Sequence, residues 1–227
     1  MRTTTWRRVA ALAAVAATLV GCASTPPKPY DYTAYRAANP QSILVLPPLN
    51  SSPDVKASNS VWAQAVFPLA ESGYYVMPLS LVAETFRENG LSNPPEAHEA
   101  NPAKLREFFG ADAALYLNVK QYGTSYKVIV SDTTVEVEAR LMDLRNGAVL
   151  WEGSARASSA EQQQSSQGGL AGLLIQALVK QIVESATEAG HPIAGIASQR
   201  LLAAGRPTGM LFGPRSPLHG KEGQGAR

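Results

Sequence analysis

The sequence predicts one α/β (α+β) module: a single mixed β-sheet of about five strands with helices packed on it and a C-terminal helix. Three observations predict it. Short apolar runs, "SILVLPP" and "YYVMPL", alternate with stretches of helical periodicity. From Ala113 the apolar period changes to two and holds through three strands. Leu170 to Ala189 is then apolar enough for a buried helix, or one shared with a partner.

The chain starts outside that module. Arg2, Arg7 and Arg8 precede an apolar run, Val9 to Val20, that is short of the ~20 residues a membrane-spanning helix needs. A basic start, a short apolar centre and small residues after it describe an export signal over residues 1–21. Cys22, the only cysteine, follows Leu19-Val20-Gly21. No intramolecular disulfide and no cysteine metal site can be built from one thiol. Residues 23–41, "ASTPPKPYDYTAYRAANPQ", carry the composition of a tether, so residues 22–41 are expected to link an anchor to a body.

Ile43 to Leu46 reads as a buried strand stopped by Pro47-Pro48. A helix is expected over roughly 59–72, with Val61, Trp62, Ala65, Val66 and Leu69 at helical spacing and a kink or early end at Pro68. Tyr74 to Met77 is the second strand. Ser80 is the expected N-cap of a helix reaching Asn89, closed by Gly90. "LSNPPEAHEA" reads as a loop, and Asn101-Pro102 opens a further helix ended by Gly110.

In the alternating region Leu115, Leu117 and Val119 face one way and Tyr116, Asn118 and Lys120 the other. "YGTSY" is expected to turn the chain. The next strand runs from Val128 to Leu141, with an irregularity at Ser131-Asp132 and Glu136, Glu138 and Arg140 on its polar side. A three-residue loop, Arg145-Asn146-Gly147 with Gly147 left-handed, sets Leu141 opposite Trp151 and Arg140 opposite Glu152, which keeps the apolar stripe on one face. A short helix over Ile193–Ala204 follows the apolar one. The module is thus bounded at residues 42–205. Residues 206–227 hold Arg206, Arg215, Lys221 and Arg227 against Glu222, with glycines and prolines throughout, and are expected to form a basic, mobile tail.

Charge and motif exclude several functions. The net charge of +2 owes three positives to Arg2, Arg7 and Arg8, so the body carries no basic excess for nucleic acid. No phosphate loop, dinucleotide fingerprint or nucleophile elbow occurs, and no cofactor is implied. His98, His191 and His219 stand at no metal-ligand spacing. His98 with Glu96 and Glu99 reads as loop polarity. Glu136 and Glu138 are explained by strand alternation rather than by a paired-carboxylate site. The candidate interaction residues are Tyr116, Tyr122 and Tyr126 on the alternating strand, for a peptide or a sugar, and Leu173, Val179 and Val183, which widen the apolar stripe of the Leu170–Ala189 helix.

Leu19-Val20-Gly21-Cys22 resembles the bacterial lipobox, and that resemblance implies acylation of the Cys22 thiol. Ala23 in place of an aspartate implies sorting to the outer membrane. "ILVLPPLNSS", "FGADAALYLNVKQYGTSYKVIVSDTTVEVEARLMDLRNGAVLWEG" and "GMLFGPRSP" resemble a family of uncharacterised Gram-negative lipoproteins that includes a neisserial surface-antigen candidate. More distantly, the strand–helix–"GYYVMPL"–"FGADAALYLNV" order resembles the α/β module of TolB, CsgG and LpoB. These resemblances imply a non-enzymatic envelope assembly or protein-interaction lipoprotein, its partner CsgG-like, another envelope protein or a second copy. The tyrosines and basic tail suggest the alternative, a cell-wall or glycan binder. No segment is left over to supply two extra membrane strands of ~10 residues, which argues against a pore.

Overall fold

The computed structural model describes residues 30–91, 93–126, 131–161 and 189–221. Its elements are α1 (Thr33–Ala38), β1 (Ser42–Val45), β2 (Leu49–Asn50), α2 (Ala57–Glu71), β3 (Tyr75–Val76), α3 (Leu79–Glu88), α4 (Pro94–Glu99), α5 (Pro102–Phe109), β4 (Ala113–Tyr126), β5 (Ser131–Asp143), β6 (Val149–Ser158) and α6 (Gly190–Leu202). They form one mixed sheet of six strands, ordered β3-β1-β4-β5-β6, with β2 on β4 beyond β1. β1 is parallel to β3 and β4, while β4, β5 and β6 form an antiparallel meander. The expected fold class is the observed one, with the two-residue β2 as the added strand.

Helices cover both faces. Val45, Leu115, Leu141 and Trp151 are register neighbours and are fully buried beneath α2 and α6, with Val61, Ala65, Leu69, Ala194 and Ala197. On the opposite face Leu44, Leu46, Ala114 and Tyr116 pack with Val82 and Phe86 of α3, Ala97 of α4 and Leu105 of α5. Phe109 stacks on Phe86 at 5.3 Å between ring centroids. Among the described residues this second covering reaches only the first part of β4, because α3, α4 and α5 are short.

Local chemistry explains most boundaries. α2 passes through Pro68 to Glu71 instead of ending there. Tertiary burial of Leu69 outweighs the one hydrogen bond that proline removes. Gly73 at φ +93 then breaks the helix. The cap of α3 is Pro78, not Ser80, which lies one residue inside. "LSNPPEAHEA" is not all loop: Asn93 Oδ1 accepts from the Glu96 amide and starts α4, as Asn101 Oδ1 accepts from the Ala103 amide to start α5.

The meander differs from expectation at three places. "YGTSY" belongs to β4, and Thr124 pairs with Thr133 through their hydroxyls at 2.8 Å. The irregularity falls at Lys120, where a bulge separates the Val119–Val137 pair from Gln121–Glu136. Leu141 does face Trp151 and Arg140 does face Glu152. The turn that sets this register is longer: Asp143 closes on Ala148, so the loop is residues 144–147, and a bulge at Leu150 restores the alternation. Gly147 is left-handed, φ +73.

Both expected flexible segments fold onto the body where they are described. In the tether, Tyr35 of α1 is buried and its hydroxyl bonds the Tyr74 hydroxyl at 2.8 Å, which donates to the Leu211 carbonyl at 2.6 Å. In the tail, Met210 and Leu211 are buried, Trp151 Nε1 donates to the Thr208 carbonyl and the Gly213 amide to the Ser72 carbonyl. Tyr32 Oη donates to the Gly209 carbonyl at 2.6 Å, clasping the two segments together. Glycine and proline preclude regular structure here, but a few apolar anchors suffice to fix an irregular segment. The Leu170–Ala189 helix lies outside the described residues except for Ala189.

Candidate functional site

Among the described residues, the part of the sheet that no helix covers lies on the second face of β4, β5 and β6. Register places Tyr116, Arg140 and Glu152 side by side, and Asn118, Glu138 and Ser154 in the next row. Together with His98 they line an open groove of about 570 Å³. Tyr116 is only 6% exposed. The His98 ring meets it edge-on at 5.2 Å and 88°, and the Arg140 guanidinium lies 5.3 Å from its ring centroid. His98 Nε2 must carry a proton, because it bonds the Pro47 carbonyl at 2.9 Å, which can only accept. Burial pushes the His98 pKa below its usual 6.5; Arg140 adds to this and the Pro47 bond opposes it. Burial likewise raises the Tyr116 phenol above 10.0. Lys120, the bulge residue, reaches Glu138 at 3.5 Å.

The three candidate tyrosines do not form one patch. The Lys120 bulge adds one residue to β4, so Tyr122 pairs with Val135 on the helix-covered face. There it is buried against Gly190, whose missing side chain makes room for the ring. A sequence alternation carried through without the bulge puts Tyr122 on the wrong side. Tyr126 ends β4 opposite Ser131, and its side chain lies outside the described residues. So do Cys22, Leu173, Val179 and Val183. The two prolines and the polar composition of "LSNPPEAHEA" hide α4, and with it the His98–Tyr116–Arg140 stack, from the sequence, although Asn93-Pro94 repeats the signal of Asn101-Pro102.

A second polar cluster superficially resembles a nucleophile with its base. Ser60 Oγ is 2.8 Å from His191 Nδ1, and Tyr122 Oη donates to Ser60 Oγ at 3.0 Å. Gln64 Nε2 donates to His191 Nε2 at 2.9 Å. His191 therefore holds its proton on Nδ1 and donates it to Ser60, the reverse of what activating a serine requires. The cluster ties α2, β4 and α6 together. His219 Nδ1 donates to the Phe212 carbonyl at 2.7 Å. Among the described residues no three acidic, histidine or cysteine side chains could hold a metal, and no helix is long and apolar enough to cross a membrane.

By geometry this is a three-layer α/β module, helices on both faces of a mixed sheet. The chain belongs to the family "Putative lipoprotein GNA1162-like", which its residues 30–215 match. It is 47% identical over 204 residues to "Putative lipoprotein NMB1124/NMB1162" of Neisseria meningitidis serogroup B, covering 90% of this chain and 94% of that one. The crystal structure of lipoprotein GNA1162 from Neisseria meningitidis matches at 46% identity with a TM-score of 0.51, over 64% of this chain and 100% of that one. The LpoB C-terminal domain of Salmonella enterica matches at 18% identity with a TM-score of 0.38, over 51% of this chain and 81% of that one. The expected family is thus the observed one, and the chain is a cell-envelope lipoprotein by family.

Proposed function

We propose that the protein is a lipid-anchored lipoprotein of the outer membrane, acylated on Cys22 after removal of residues 1–21. Its folded body is periplasmic and works without catalysis, by binding another envelope protein, a CsgG-like one included, or a second copy of itself. The observation that carries this reading is the face of β4–β6 that the described helices leave open. It presents Asn118, Glu138, Arg140 and Ser154 in register rows while the other face of the same strands is sealed by helices. Aligned polar side chains on a rigid sheet give a partner specificity at little ordering cost.

The glycan alternative loses two of its three tyrosines. A sugar stacks on an open aromatic face, whereas Tyr116 is occupied by Arg140 and His98, and Tyr122 is in the core. The test is photo-crosslinking in whole cells from position 154 on the open face and from position 67 on α2, followed by mass analysis of the membrane-extracted protein. Crosslinks to one envelope protein or to itself from 154 alone, with acyl mass on Cys22, are the expected result. Equal crosslinking from both positions, or an unmodified Cys22, overturns it.

A further inference from the structure

The two segments expected to be loose converge at one end of the sheet, and they differ in charge from the rest. α1 and the C-terminal segment meet through Tyr32–Gly209 and Tyr35–Tyr74–Leu211. The cleft between them, about 420 Å³, is lined by Arg36, Tyr74, Pro214 and His219. Arg215 lies beside it, its guanidinium 5.3 Å from the Tyr75 ring centroid, and Lys221 follows Gly220 of the cleft wall. Arg206 is hydrogen-bonded through its carbonyl to Gly209. Arg36, Arg206, Arg215 and Lys221 are all exposed. None of the four is in an ion pair among the described residues. Residues 200–221 contain no acid, and residues 30–41 contain only Asp31. Asp112 and Asp143, which also lie at this end, are engaged by Arg106 and Arg145, and Glu71, exposed just before the Ser72 and Gly73 carbonyls that hold the C-terminal segment, is outnumbered by the four cations.

This end is also where the chain leaves for Cys22. From residue 22 to residue 30 an extended chain reaches at most about 28 Å. β4 is 14 residues long and spans about 45 Å, so its far end at Tyr126 lies well beyond that reach. We propose that the basic surface formed by Arg36, Arg206, Arg215 and Lys221 docks on the anionic headgroups of the membrane that holds the Cys22 anchor. Docking fixes the long axis of the sheet away from the bilayer. It leaves the open face of β4–β6 accessible to a partner. Leu218, 48% exposed beside the basic side chains, supplies an apolar contact. The proposal rests on the acylation of Cys22.

Because the acylated chain has no free thiol, Leu218→Cys and Ser125→Cys each create a unique labelling site, one at each end of the sheet. The full acylated protein is reconstituted in vesicles with and without phosphatidylglycerol, and energy transfer from the label to a headgroup acceptor is measured. Transfer several-fold stronger from 218 than from 125 is expected on phosphatidylglycerol vesicles, with a much smaller ratio, set by the tether alone, on vesicles without it. Charge reversal of Arg36, Arg215 and Lys221 is expected to lower the ratio to that tether-only value, since each basic residue removed shifts the docked ratio by about fivefold. Equal transfer from the two sites, or a difference indifferent to phosphatidylglycerol, overturns the proposal while the anchor stands. A maleimide-reactive Cys22, with protein lost in an alkaline wash, overturns the anchor and the proposal with it.

Discussion

The two faces of the β4–β6 meander are built from alternate residues of the same strands, yet they carry different work. One holds Leu115, Leu141 and Trp151 beneath α2 and α6, all nearly inaccessible. The other holds Arg140, Glu138 and Ser154 in an open groove. The difference teaches that helix placement, not strand composition, decides which face stabilises and which recognises: Tyr116 is buried only as far as α4 extends. Trp151 tests the sealed face hardest. Trp151→Ala is expected to cost about 3–5 kcal/mol, read as a fall in the denaturant midpoint. An unchanged midpoint would mean that the sealed face is not the source of stability.

Gly153 sharpens the same point. The Trp151 ring lies across it, and a Cβ there would sit 2.4 Å from Trp151 Cζ2. Gly153→Ala should therefore cost about 1–3 kcal/mol by overpacking, with no gain from a better strand former. Tyr35→Phe removes one hydroxyl from the Tyr35–Tyr74–Leu211 chain. The expected loss is about 1 kcal/mol. Faster amide exchange in residues 206–221 would show that it is the clasp that loosens; an even loss across the sheet would not fit.

Much of this was legible in the sequence. Alternation locates β4–β6, and keeping apolar residues on one face fixes Leu141 against Trp151 even though the turn is one residue longer than its sequence suggests. Burial constrains register more tightly than turn chemistry does. The bulge at Lys120 was not legible, since one inserted residue leaves no compositional mark, and with it went the placement of Tyr122. The clasp was hidden for a different reason. Tyr35, Met210 and Leu211 are isolated anchors among glycines and prolines, with no period to detect. Within the site, Arg140 beside Glu152 followed from register alone, whereas His98 on Tyr116 is a contact between residues far apart in sequence.

Acid should affect the two faces in sequence. The folded pKa of His98 lies below 6.5 because of burial, so the fold favours its neutral form. Stability is full above 6.5 and declines as pH falls through the folded value. Asp143 follows at lower pH. Burial raises its pKa, but the Arg145 hydrogen bonds outweigh it and hold the carboxyl below 3.8, so its contribution is lost only below that value. His98→Gln keeps a donor for the Pro47 carbonyl and should remove the first decline while leaving the second. A first decline that persists in the variant would assign it to another group.

The smallest stability effect is expected where the largest binding effect should lie. Lys120 and Glu138 are each about half exposed and 3.5 Å apart, and such pairs contribute roughly 0–1 kcal/mol. Glu138→Lys places like charges together at the bulge and near Arg140, yet solvent screens them, so the thermal midpoint should hardly move. Recovery of the crosslinked partner from position 154 should fall sharply, because a complementary surface meets a reversed charge at the centre of the groove. If the midpoint falls as far as it does for Trp151→Ala, the open face is structural and the contrast between the faces fails. If neither midpoint nor crosslinking moves, the partner contacts another surface, and the row Asn118–Glu138–Ser154 is only solvated strand.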